Sequence, residues 1–133
     1  MIEVETRGRL DFCALRDAIE RRDAGVISGF YAEDAELRVE HAALPEGKTF
    51  GLKGREQIER YLRAVCEQEI FCLVEDGAVF GEGTVRFREL CFYPNGDTIP
   101  VETTLEVRRG LIARQTDVVE RTRNDGRRDE GSE

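Results

Sequence analysis

The sequence is short of the residues that most metal and nucleic-acid chemistry requires. Its 133 residues include one histidine, His41. The four cysteines, Cys13, Cys66, Cys72 and Cys91, form no Cys-x-x-Cys pair, and each lies among apolar neighbours. A closed zinc site needs about four ligands, more than one imidazole and scattered thiols can offer. Four reduced, buried cysteines are therefore expected, with no metal and no cofactor. Basic residues are also in deficit: 20 Lys and Arg against 28 Asp and Glu leave a net charge of -8. A field of that sign repels phosphate backbones and acidic membrane surfaces, which argues against a nucleic-acid partner. The dense arginine cluster at 121–128 is neutralised by Asp125, Asp129, Glu130 and Glu133. No apolar run approaches the roughly 20 residues of a membrane span. Residues 1–10 lack the apolar stretch of a secretion signal. The expectation is a cytoplasmic protein without a membrane partner.

What is present fits one globular domain. Hydrophobic residues make up 40% and charged residues 36%, enough for a single core under a well-charged surface. Residues 1–120 are read as that domain. Residues 121–133 hold no apolar side chain, so a disordered tail is expected there. Leu10 to Arg22 reads as a helix, capped by Asp11, with Phe12, Leu15 and Ile19 at helical spacing. Asp23 can cap a second helix, Ala24 to Ala32, that buries Val26, Ile27, Phe30 and Tyr31. Ala35 to His41 alternates, placing Leu37, Val39 and His41 on one face of a half-buried strand. Residues 42–53 read as a loop. Gly54 to Gln68 reads as a third helix whose stripe is Ile58, Tyr61, Leu62, Val65 and Cys66. From residue 70 onward the pattern is strand, in four segments: 70–80, with a break at Asp76-Gly77, then 83–93, 98–109 and 111–120. The predicted fold is α+β, a curved antiparallel sheet with three helices in the N-terminal half closing a cone-shaped pocket.

Turn chemistry sorts the strand side chains. Pro94-Asn95-Gly96 suits a three-residue hairpin loop with glycine in the left-handed position. That register pairs Cys91 with Ile99, Glu89 with Val101, Phe87 with Thr103 and Val85 with Leu105. It sets Arg88 against Glu102 on the opposite face. If Arg109-Gly110 is a two-residue turn, Ile112, Arg114, Thr116 and Val118 join the apolar face. Four polar residues, Glu89, Thr103, Arg114 and Thr116, then intrude among apolar ones, and His41 has the same parity on its own strand. A carboxylate on an apolar face is costly unless paired, its pKa rises, and such groups gather at functional pockets. Glu89 therefore either forms a structural pair with Arg114 at the rim or works in a pocket. His41 is either a pocket residue or a satisfied histidine beside a loop. Tyr31 and Tyr61 read as core residues that also wall the pocket.

Four segments resemble those of SnoaL-like proteins of the NTF2-like superfamily. They are Arg22-Asp23-Ala24, Phe30-Tyr31-Ala32-Glu33-Asp34-Ala35-Glu36, Gly54-Arg55-Glu56-Gln57-Ile58-Glu59-Arg60-Tyr61-Leu62 and Arg109-Gly110-Leu111-Ile112-Ala113-Arg114. They occur in the order that fold requires, over about residues 10 to 120. The resemblance implies a cone-shaped fold that elsewhere serves ketosteroid isomerases, polyketide cyclases, epoxide hydrolases, dehydratases and non-enzymatic binding domains. It does not carry over the isomerase machinery: Leu15, Val39 and Thr103 stand where that family has its tyrosine, its aspartate base and its aspartic acid.

Two functions follow as expectations. The first is binding of a small hydrophobic molecule, with Tyr31, Tyr61, Phe87, Val101, Thr103 and Thr116 lining the site. The second is a cofactor-independent cyclase, isomerase or hydrolase. There Glu89 is general acid or base, Arg114 orients it, and His41 or Thr116 assists. A third possibility is a non-catalytic dimerisation module. The opposite sheet face carries Leu90, Phe92, Leu111, Ala113 and Val119 among charges, so a homodimer through that convex face is expected. Sedimentation of the pure protein should give about twice the chain mass, and Phe92→Asp should shift it toward monomer. A monomer at tens of micromolar would refute the dimer.

Overall fold

The computed structural model describes residues 10–41, 49–80 and 83–120. Among these, three helices and six strands follow in the order α1 (Phe12–Glu20), α2 (Ala24–Ser28), β1 (Tyr31–His41), β2 (Thr49–Lys53), α3 (Arg55–Glu67), β3 (Phe71–Phe80), β4 (Thr84–Phe92), β5 (Thr98–Arg108) and β6 (Leu111–Val119). The strands form one sheet in the order β2-β1-β6-β5-β4-β3. Every neighbouring pair is antiparallel except β1 and β6, which run parallel. The architecture is the α+β curved sheet that the sequence pattern implies. The predicted tail at 121–133, residues 42–48 of the expected loop and the Gly81-Glu82 link between the predicted strand segments 70–80 and 83–93 lie outside the described residues.

Local chemistry explains the helix boundaries. The Asp11 carboxylate accepts from the Ala14 N–H at 3.1 Å, and that of Asp23 from the Val26 N–H at 3.2 Å. Each satisfies a donor that the first helical turn leaves unpaired. The second helix is shorter than its apolar pattern suggests. It ends at Ser28, leaving Val26 45% exposed. The Phe30 carbonyl accepts from the Ile112 N–H at 2.8 Å, and Tyr31 pairs with Ile112. Tyr31 therefore opens a strand, because sheet pairing overrides helical spacing. The expected loop at 42–53 also holds a strand at its end. Phe50 and Leu52 alternate across Gly51 and face Val39 and Leu37 on β1.

The helices pack on one face of the sheet. Leu15 and Ala18 of α1, Ile27 of α2 and Ile58 of α3 meet Leu37, Val74, Val85, Phe87, Leu105 and Ile112 from the strands. Burying each such side chain contributes roughly 1.5–3 kcal/mol. One contact fixes the α1 tilt: the Phe12 ring stacks at a tilt on Phe87, centroids 5.4 Å apart. The Cε2–Cζ edge of that ring lies over Gly77, in the bulge where β3 passes from Glu75 to Ala78 with one extra residue. A Cβ on Gly77 would collide with the Phe12 ring. At Gly25 an added Cβ meets nothing closer than 3.7 Å.

The hairpin registers match the turn chemistry. Gly96 has φ 97°, and the Tyr93 N–H donates to the Asp97 carbonyl at 2.9 Å. Glu89 faces Val101, Phe87 faces Thr103, and Arg88 donates to Glu102 at 2.9 Å. Arg109 and Gly110 have φ 56° and 78°, the two positive angles of a type I′ turn, and Arg108 pairs with Leu111 as expected. Beyond that turn the register slips. Val107 pairs with Ile112 but Glu106 pairs with Arg114, so Ala113 is an extra residue, a β-bulge.

The packing at Gly77 yields a test. Gly77→Ala should destabilise by about 1–3 kcal/mol, because the ring must leave Phe87 to make room. Gly25→Ala, on an exposed helix position, should be neutral or stabilising. Urea denaturation of both variants reads the contrast, and equal effects would refute the packing argument.

Candidate functional site

The concave face of the sheet and the three helices enclose a cavity of about 350 Å³. Its walls are mainly apolar: Leu15 and Ile19 from α1, Leu62 and Val65 from α3, Val39 from β1 and Leu105 from β5. Tyr61 and Phe50 line it edge-on to each other, ring centroids 5.6 Å apart. Two carboxylates, Glu89 and Asp117, and three thiols, Cys66, Cys72 and Cys91, also line this enclosure.

The bulge at Ala113 determines which part of β6 reaches the cavity. Past it, Leu105 pairs with Gln115, Thr103 with Asp117 and Val101 with Val119. Gln115, Asp117 and Val119 therefore turn inward. Arg114 and Thr116, expected beside Glu89, turn to the outer face. Arg114 is 58% exposed and lies between Glu36 and Glu106 at 3.9 and 3.8 Å. Thr116 sits opposite Arg38 in a shallow outer cleft. Val118, read as apolar-face, pairs with Glu102 on the outside. Val119, read as part of the convex face, lines the cavity instead.

The other expected site residues are brought together. Glu89, His41, Tyr31, Tyr61, Phe87 and Val101 all line the cavity. Thr103 is fully buried behind it, supporting Asp117. Leu15 and Val39, two of the three positions set against the isomerase pattern, also face the cavity. The cysteines divide. Cys13 is exposed on α1, contrary to the expected burial, because it lies off the Leu15–Ala18 face. Cys72 and Cys91 face each other across β3 and β4 with sulfurs 3.5 Å apart, so these thiols are not scattered.

Sequence reading missed Asp117 and Gln115. The signal was faint: neither parity of 111–119 is cleanly apolar, as expected of a strand that changes face midway. In the structure these residues form a relay. The Tyr31 hydroxyl donates to Gln115 Oε1 at 2.5 Å, and Gln115 Nε2 donates to Asp117 Oδ1 at 2.9 Å. The Thr103 hydroxyl donates to the same Oδ1 at 3.0 Å. The carboxylate is thus held in one orientation from behind while it lines the cavity.

Burial sets the protonation behaviour. It pushes the Asp117 carboxyl up to about 6, against the hydrogen bonds from Gln115 and Thr103 that favour the anion. The Glu89 carboxyl is driven well above the usual carboxylate range, first by burial and then by the nearby Asp117 charge. Burial, reinforced by Asp117, also pushes the Tyr61 hydroxyl up to about 12 and the Tyr31 hydroxyl well above its ordinary value. In the thiol pair, hydrogen bonding lowers Cys72 and raises Cys91.

Comparison with known proteins places this geometry in a class. No family model matches the chain, and no curated protein matches it either. Many solved structures share its fold. A candidate ketosteroid isomerase from Kribbella flavida DSM 17836 aligns at TM-score 0.65 and 17% identity, over 81% of this chain and 73% of that one. An NTF2-like protein of unknown function from Mesorhizobium loti aligns at 0.66 and 17%, over 81% and 86%. A cystatin-fold protein from Novosphingobium aromaticivorans aligns at 0.64 and 15%, over 86% and 96%. The chain has the NTF2-like, cystatin-like fold, in which an unclosed curved sheet is capped by helices.

The carboxylates give a pH test. The folded chain holds the Asp117 proton more tightly than the unfolded chain, whose aspartate titrates near 3.8. Stability should therefore fall as pH rises from 3.8 through about 6. Glu89, also raised, acts in the same direction. Asp117→Asn removes the Asp117 share. Urea denaturation should show the variant more stable than the parent at pH 8, by on the order of 1–3 kcal/mol, and close to it at pH 4. Equal stability at pH 8 would show that the carboxylate is not desolvated.

Proposed function

We propose that the chain binds a small, largely apolar molecule in the cavity, with one polar group of the ligand held by Asp117. The observation that carries this reading is the relay-held carboxylate in an apolar enclosure of about 350 Å³. That volume falls within the range of about 300–1,000 Å³ usual for small-molecule sites, and so does the pattern of apolar walls with few fixed polar groups. Two neighbours in fold point to ring ketones as a starting panel: the candidate ketosteroid isomerase and a candidate polyketide cyclase from Sinorhizobium meliloti. Bicyclic enones and naphthols should quench the fluorescence of the three tyrosines, all of which line the cavity. Val101→Phe fills the cavity and should weaken binding by roughly tenfold while the fold is kept. Failure of the whole panel to bind would overturn the reading.

A second reading, acid–base catalysis on the bound molecule, is favoured by one observation. Asp117, at about 6, is poised to take up and release a proton near neutral pH. It replaces Glu89 and Arg114 as the group to which a base role belongs, because it is the carboxylate with a fixed orientation. The protein should then catalyse deuterium exchange at the carbon beside the carbonyl of a bound ketone. The rate should rise with pH through about 6, since the base form is the anion. Asp117→Asn should abolish exchange yet leave ketone binding within a few fold. Exchange unaffected by the substitution would exclude this role.

The homodimer remains part of the proposal, with its surface redrawn. Phe71 and Leu73 on β3 are 59% and 52% exposed, and they pair with Phe92 and Leu90 on β4. These four share the outer face and extend the patch toward the sheet edge. Val119 leaves the proposed interface because it faces the cavity.

A further inference from the structure

We propose that Cys72, Glu89 and Cys91 form a three-ligand site for a zinc ion on the cavity wall. Their ligating atoms, one per residue, all lie within 4.8 Å of one another. Two of them come from β4, where Glu89 and Cys91 are two residues apart and so project from the same face. The third comes from β3, where Cys72 is the direct partner of Cys91. The sheet ladder, rather than a loop, holds the cluster. Sulfurs on a tetrahedral zinc ion, each about 2.3 Å from the metal, lie about 3.8 Å apart. Here the two sulfurs are 3.5 Å apart, so the thiolate pair reaches that spacing with a shift of a few tenths of an ångström, while the Glu89 carboxylate starts within 4.8 Å of both.

The donor set selects the metal. Two thiolates favour zinc or copper(I) over magnesium or calcium, and the carboxylate favours zinc over copper(I). On binding, each ligand releases its proton to solvent, so that two thiolates and one carboxylate face a doubly charged ion. The product carries one negative charge, much less than three bare anions would impose on an apolar wall. All three residues line the cavity. The fourth tetrahedral position therefore opens on it, the arrangement that distinguishes reactive zinc sites from closed structural ones. An oxygen of a bound molecule can occupy that position, a step that rests on the ligand-binding reading above. Metal uptake itself does not rest on it.

The test uses the reduced, chelator-stripped full chain with no organic ligand, so its failure leaves the ketone panel intact as a test of the other reading. Cobalt(II) should give a sulfur-to-cobalt charge-transfer band saturating at one metal per chain. Zinc should displace it, compete for metal with a chromophoric chelator, and raise the thermal midpoint of the unmodified protein. Cys72→Ser and Cys91→Ser should each abolish the band. Glu89→Gln should weaken zinc binding by roughly tenfold or more. Cys13→Ser, on the far side of α1, should bind as the parent does. Cys72→Ala and the zinc-dependent midpoint of the parent keep the proposal testable if a serine variant fails to fold. A folded, reduced parent that shows neither the band nor a zinc-dependent midpoint would overturn the site. So would a band that survives loss of Cys72 or Cys91. So would a stable Cys72–Cys91 disulfide in a protein that takes up no metal once reduced.

Discussion

Side chains alternate along a strand, so a single unpaired residue inverts every position beyond it. In β6 that residue is Ala113. Without it, Arg114 and Thr116 would face the helices, and Gln115 and Asp117 would lie in solvent. With it, the relay from Tyr31 through Gln115 reaches Asp117, and Arg114 is left among the acidic side chains of the outer face. The polarity of the cavity follows from this one irregularity. The enclosure acquires a fixed anion on β6 opposite a second carboxylate on β4, and gains no guanidinium from Arg114 in exchange.

Much of the fold was legible because its signals are local. Asp11 and Asp23 announce helix starts through cap chemistry, and Pro94-Asn95-Gly96 selects a loop type that fixes the β4–β5 register. That register was sufficient to put Glu89 on the concave face. What stayed hidden depends on partners distant in sequence. Tyr31 leaves helical spacing because Ile112 pairs with it, and Phe50 and Leu52 become a strand because β1 offers them an edge. The bulge left no glycine or proline as a marker. The pairing of Cys72 with Cys91 stayed hidden because the extra residue between Glu75 and Ala78 shifts the β3–β4 register by one.

The cavity also sets a conflict between stability and activity. Desolvating two carboxylates opposes folding above the pH at which they ionise, and the hydrogen bonds from Gln115 and Thr103 offset only part of that cost for Asp117. Apolar residues at both positions would make a firmer core. A protein retaining the acidic pair gives up stability in exchange for a site able to hold a polar group or a cation. The surrounding frame compensates. The Phe12–Phe87 contact and the bond from the Val74 N–H to the Glu20 carboxylate, at 2.9 Å, anchor α1 to β3 and β4 beside the site.

The parallel pairing of β1 with β6 has a kinetic consequence. An antiparallel hairpin forms as soon as its two strands exist, but β1 lies between β2 and the last described strand, so half of its hydrogen-bonding edge waits for residues 112–119. During synthesis the β1–β2 hairpin and the helices emerge first and stay incomplete, with Leu37 and Val39 lacking their full cover. Closing the sheet joins the two halves of the chain in one long-range step, the kind of event that slows folding relative to a chain of local contacts. The exposed edge of β1 is therefore where a nascent chain is most open to capture by a chaperone, or to mispairing with another copy of itself.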